Sequence, residues 1–94
     1  MKAISSGIKA ADAAIHAGAC WYLGITIVTD GTKDVIATVY DDPDSSDGTE
    51  VDYVQCSDEM LNVCHMLRFP VWCANGIYVE MDAAEGDYIV WYAL

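Results

Sequence analysis

Basic side chains are scarce: 4 Lys and Arg stand against 15 Asp and Glu, giving a net charge of −11 over 94 residues. Lys2, Lys9, Lys33 and Arg68 form no stripe, so a partner whose binding depends on neutralised phosphates is disfavoured and no nucleic acid is expected. Long apolar runs are missing too. The longest segment free of Asp, Glu, Lys and Arg is Ala13–Thr29, interrupted by His16, Gly18 and Gly24, whereas a helical membrane span needs about 20 mainly apolar residues. The start, Met1–Ser6, has a positive charge but lacks the apolar stretch of roughly 7–15 residues that a signal peptide requires. The expectation is a chain made in the cytosol, without export and without a membrane partner. Catalytic signatures are absent as well: there is no G-x-S-x-G elbow, no glycine loop ending in Lys-Ser or Lys-Thr, and no H-E-x-x-H. Hence no catalytic residue, no cofactor and no enzyme activity are expected.

What the chain has in quantity is apolar surface. Hydrophobic residues make up 54%, enough to offset the entropy of ordering despite the charge, so the sequence reads as folded. Its length suits one domain, residues 1–94, with a modest core that hides about 60–65% of the unfolded surface.

The dominant period is two. Trp21, Leu23, Ile25 and Ile27 alternate with Cys20, Tyr22, Gly24, Thr26 and Val28, a strand pattern enriched in β-branched residues. Asp30-Gly31-Thr32-Lys33-Asp34 reads as a turn into a second strand, Val35–Tyr40, and the two form the clearest hairpin expected. Asp41–Gly48 is a loop of turn formers, followed by a strand around Val51–Cys56. Ser57-Asp58-Glu59 turns into Leu61–Phe69, where Leu61, Val63, Leu67 and Phe69 share a face and Pro70 closes the strand or leaves it at an edge. Ala74-Asn75-Gly76 launches Ile77–Asp82, and Ala83-Ala84-Glu85-Gly86 launches Asp87–Leu94. At the start, Ala10–Ala14 suits a helical turn, Ala13–His16 a short edge strand, and residues 1–14 an N-terminal arm. Six to seven strands, with turns every 8–12 residues or so, indicate an all-β chain: one small antiparallel β-sandwich, jelly-roll-like.

Clusters able to carry chemistry are few. Asp41, Asp42, Asp44, Asp47 and Glu50 crowd one loop, but the spacing misses a calcium-loop pattern: the glycine is one place late and no closing Glu follows. A solvated turn is expected in Asp41–Glu50, and no metal. Cys56, Cys64, His65 and Cys73 lack the short knuckle spacing of zinc sites, and Cys64 and His65, as strand neighbours, point to opposite faces. Cys20, Cys56, Cys64 and Cys73 are expected as free thiols, mostly buried, with disulfides the lesser alternative. Trp21, Trp72 and Trp91 with the tyrosines allow a sugar-stacking platform, though packing is their commoner role.

Several strands are apolar on both faces. In the last, Ile89 and Trp91 oppose Tyr88, Val90 and Tyr92; in the first long one, Tyr22 and Val28 oppose the Trp21 stripe. A sandwich usually keeps one face polar, so a partner is expected to cover the second, most simply a further copy. Tyr22, Tyr88, Val90 and Tyr92 are the expected interface, because tyrosine tolerates a wet rim, while Ile89 and Trp91 suit the interior.

His16-Ala17-Gly18-Ala19-Cys20-Trp21-Tyr22-Leu23-Gly24-Ile25-Thr26-Ile27, then Val39-Tyr40-Asp41, Gly48-Thr49-Glu50-Val51, Gly76-Ile77-Tyr78-Val79 and Val90-Trp91-Tyr92, resemble in their order the small β-sandwich virion proteins of tailed bacteriophages, of the capsid decoration or head accessory type. The resemblance spans most of residues 15–92, with Cys56–Cys73 a departure. It implies a non-enzymatic structural protein of the virion, most plausibly a capsid decoration or cement protein made in the host cytoplasm. Its implied partners are copies of itself, a trimer favoured, and the major capsid or other virion proteins. The alternatives are a tail or fibre component and, from another class, a small carbohydrate-binding β-sandwich module.

Overall fold

Alternation with period two becomes extended structure throughout the computed structural model, which describes residues 2–29, 31, 34–57, 59–82 and 86–94. Eight strands and no helix occur among the described residues: β1 (Ile4–Ser5), β2 (Ala13–Ala17), β3 (Cys20–Thr29), β4 (Val35–Asp41), β5 (Thr49–Cys56), β6 (Asn62–Cys73), β7 (Gly76–Met81) and β8 (Gly86–Ala93). Antiparallel pairing joins β1 to β8, β2 to β7, β3 to β6 and β4 to β5, as in one long ribbon rolled over on itself. The ladders β3–β8 and β4–β7 complete two four-stranded sheets, of order β1-β8-β3-β6 and β2-β7-β4-β5. This nesting is jelly-roll topology, and the chain is an all-β sandwich.

The strand number exceeds the expected six to seven because the first seventeen residues contribute to both sheets. Ile4 and Ser5 pair with Tyr92 and Trp91, Lys9 exchanges both backbone hydrogen bonds with Tyr88 at 2.8 Å, and β2 lies along β7. Asp12 fastens this start from the side, its carboxylate accepting the Met81 N–H at 2.7 Å.

The expected β3–β4 hairpin does not form. β3 pairs with β6 and β8 in one sheet, β4 with β5 and β7 in the other. The reason is burial: Ile25 and Ile27 on β3 and Val35, Ala37 and Val39 on β4 are all fully buried. Stacking the strands in separate layers sets those apolar rows against each other, at about 1.5–3 kcal/mol for each large side chain; a hairpin would leave them side by side in one layer. Asp30, Thr32 and Lys33 of the intervening turn lie outside the described residues, as do Asp58 and Ala83–Glu85 of two other expected turns. The true hairpin is β4–β5, closed by the acidic loop, with Asp41 opposite Thr49.

Face assignment along β3 also differs from simple alternation. Between Tyr22 and Gly24 the register shifts against both neighbours, so Cys20 and Tyr22 before the shift share the core with Ile25 and Ile27 after it. Gly24 is what makes the shift possible. Its φ is +156°, and a Cβ there would lie 2.5 Å from the His65 carbonyl oxygen, a bulge geometry that only glycine accepts. On β6 the same shift is larger: Tyr22 pairs with Val71 but Gly24 with Met66. Leu67, Arg68, Phe69 and Pro70 therefore have no partner in the β3 ladder; Leu67 still packs against the core, and the exposed Arg68, Phe69 and Pro70 form a protrusion on an edge strand. Pro70 leaves β6 running at the sheet edge instead of closing it.

Candidate functional site

The two faces of β8 settle which side of the domain is available. Tyr22, Tyr88 and Val90, expected at an interface, are at most 1% exposed and belong to the core. Tyr92 packs against that core, its ring 5.5 Å from the imidazole of His16. The assignment of this set to a partner is therefore corrected: the tyrosines face inward. Both buried hydroxyls find acceptors inside the chain, Tyr22 donating to Asp52 Oδ2 and Tyr88 to the Ala11 carbonyl, each at 2.7 Å. A phenol so satisfied needs no wet rim. Burial, with Asp52 beside Tyr22 and Asp12 beside Tyr88, pushes both phenols well above the usual tyrosine range.

The complementary set faces outward. Trp21, Thr26, Val28, Ile89 and Trp91 alternate with the buried positions of β3 and β8. Thr26 ties the face together: its hydroxyl accepts Trp91 Nε1–H at 3.3 Å and lies 3.4 Å from the Cys64 sulfur. Trp21 and Trp72, opposite each other across β3–β6, meet edge-to-face with centroids 4.9 Å apart. At the β6 rim stand Met66, 48% exposed, Trp72, 50%, and Phe69, 75%. Exposed apolar side chains gathered on one side of a small domain often mark an interaction site. At one end the face sinks into a pocket of about 180 Å³ lined by Ile8, Thr26, Val28, Asp87, Tyr88 and Ile89.

Polar groups gather elsewhere, at the open edge between β5 and β6. Asp52 accepts from Tyr22 and also pairs with His65 Nδ1 at 2.9 Å, bridging the two sheets. Cys64 lies on the outer face beside Thr26 while His65 turns to Asp52, so neighbouring thiol and imidazole point apart and make no nucleophile–base pair. Cys20, Cys56 and Cys73 are buried and Cys64 is exposed, all four as free thiols. Burial raises the first three, Asp41 adding to it at Cys20 and Cys73, and Cys73 is pushed up to about 12.

The acidic loop turns its oxygens onto its own backbone. Asp42 Oδ1 accepts the N–H groups of Asp44 and Ser45, both at 2.9 Å, and the Asp44 bond foremost holds its carboxyl below the usual range. Asp41 reaches across to the β6–β7 turn, accepting Asn75 N–H at 2.9 Å and Ala74 N–H at 3.3 Å. Among the described residues no group of three or more His, Cys, Asp or Glu side chains converges as metal ligands would. Of the four basic residues, Lys33 lies outside the described residues, and Arg68 stands on the β6 protrusion with its guanidinium 5.6 Å from the Phe69 ring centroid.

Sequence reasoning reached the existence of a second apolar face but missed its members. Alternation alone puts Trp91 and Ile89 inside and groups Phe69 with Val63 and Leu67, which pack against the core, while Ile8 belongs to no alternating run. The available signal was Gly24: a glycine inside a β-branched run marks a bulge, and a bulge inverts the faces beyond it. Compared with known proteins, the chain matches no family model and no curated protein.

Proposed function

We propose that this chain is a non-enzymatic structural protein that assembles through the outer face of its β1-β8-β3-β6 sheet, in the role of a virion subunit such as a capsid decoration protein. The observation that carries the reading is that face: three tryptophans and a rim of exposed Phe69, Met66 and Val28 on a jelly roll of net charge −11. An acidic chain keeps so apolar a surface where a partner covers it. The virion role rests on the resemblance, and the jelly roll, an architecture common in capsid and lectin domains, is compatible with it. A sugar platform is less well supported, because Trp21 and Trp72 meet at 61° and present no flat stacking surface.

Two measurements test this. Sedimentation or native mass spectrometry of the purified chain is expected to show a homo-oligomer, and mass spectrometry of particles from the source is expected to find the chain as a stoichiometric component. A strictly monomeric chain overturns the assembly reading, a monomer that binds glycans favours the sugar-binding alternative, and absence from particles overturns the virion role.

A further inference from the structure

Resting on that reading, we infer that the covering partner is a second copy of this chain in a head-to-tail contact, in which Arg68 and Phe69 of one copy enter the Ile8–Val28–Asp87–Ile89 pocket of the next. Size, charge and placement each point to this occupant. The pocket holds about 180 Å³, and a cavity of about 150 Å³ takes up benzene, so a phenyl ring fits. Phe69 is 75% exposed on the Arg68–Pro70 protrusion of β6, the most exposed aromatic side chain of the described residues. Its neighbour Arg68 is one of only 4 basic residues in the chain, and the pocket's lining includes the carboxylate-bearing Asp87. A ring entering the pocket therefore brings a guanidinium toward a carboxylate, an arrangement suited to bidentate pairing.

Placement makes the contact intermolecular. Phe69 lies on β6 between Val71, opposite Tyr22, and Met66, opposite Gly24, whereas the pocket's Val28 is four residues beyond Gly24 along β3, roughly 13 Å at the rise of a strand. No phenyl side chain spans that gap within one copy. Edge-to-edge pairing through β6 is the competing geometry, and the protrusion with Pro70 blocks it, since bulges and prolines blunt sheet edges. Knob and pocket are different patches, so the contact is heterologous and closes into a ring or continues as a filament.

The experiment uses the full chain between about 1 and 200 µM in an analytical ultracentrifuge. Phe69→Ala is expected to weaken self-association at least about thirtyfold, the loss typical of a central interface anchor. At about 150 mM salt, where screening leaves little of the general repulsion, Asp87→Lys is expected to weaken it as well, although it makes the net charge less negative than −11; Arg68→Glu/Asp87→Lys restores the original net charge and is expected to recover association within about threefold. Phe69→Ala keeps a pocket and Ile8→Glu keeps a knob, both at exposed positions, so each alone is expected to be monomeric and their mixture to stop at a 1:1 dimer. A wild-type chain monomeric throughout overturns this contact and the assembly reading together. A wild-type oligomer that Phe69→Ala leaves intact, tightening by Asp87→Lys, or a mixture that stays monomeric overturns the contact alone.

Discussion

Tyr22 and Tyr88 show how one hydroxyl decides where an aromatic ring lies. Each is buried to its oxygen and donates at 2.7 Å to an acceptor of the same chain, so the phenol has the partner that a buried polar group requires. A consequence follows at alkaline pH. Both phenols are raised in the folded chain, by burial first, whereas in the unfolded chain they ionise near 10. Stability from this source is complete below about pH 10 and declines above it, because only the unfolded state then loses the protons. Each tyrosine contributes a slope of up to about 1.4 kcal/mol per pH unit. Urea unfolding between pH 9 and 11.5 is expected to show this loss, with a shallower slope in Tyr22→Phe; an unchanged slope in that variant contradicts the assignment.

At the scale of elements, β3 and β8 are the strands on which the domain turns. Each is apolar on both faces, and the register shift at Gly24 selects which face meets the opposite sheet. Two substitutions on β8 separate the faces. Tyr88→Ala removes a ring 1% exposed and is expected to cost about 3–5 kcal/mol of stability. Trp91→Ala removes a partly exposed ring of the outer face and is expected to cost under about 2 kcal/mol while weakening assembly. Chemical denaturation of the dilute chain, with sedimentation at higher concentration, distinguishes the two. A Trp91→Ala domain that unfolds while Tyr88→Ala only dissociates would reverse the face assignment.

For the whole molecule, charge opposes what the apolar face favours. The chain measures 35 × 25 × 19 Å and carries −11. Two copies centred about 25 Å apart repel by roughly 20 kcal/mol in salt-free water, and a screening length of about 10 Å at 0.1 M removes most of that. The Arg68–Asp87 attraction at the rim is worth about 1 kcal/mol or less, so relief of the general repulsion outweighs its loss in salt. Self-association is therefore expected to tighten at least about tenfold between 10 and 150 mM salt, read as the dissociation constant in sedimentation. Weakening with salt would mean that local ion pairs dominate the contact.

Composition and period-two alternation, both local properties, were enough to determine an all-β sandwich, because a strand's pattern is written in side chains two residues apart. The positions of β3 to β8 were legible to within a few residues for the same reason. So was the opposite orientation of Cys64 and His65, which strand neighbours cannot avoid. Only the tertiary structure decided which face is inside. When both faces of a strand are apolar, alternation is satisfied by either orientation, and a shift of one residue exchanges them. That choice fell to Gly24, whose missing Cβ admits the His65 carbonyl, and to Asp52 and the Ala11 carbonyl, which receive the tyrosine hydroxyls from strands distant in sequence. Likewise the Asp-Gly turn signal specified a reversal of the chain but not its layer; β4 entered the second sheet because there its valines meet the isoleucines of β3. The pocket joins Ile8 to Val28 and Ile89, residues from three separate stretches, and no periodicity along one chain encodes a meeting of that kind.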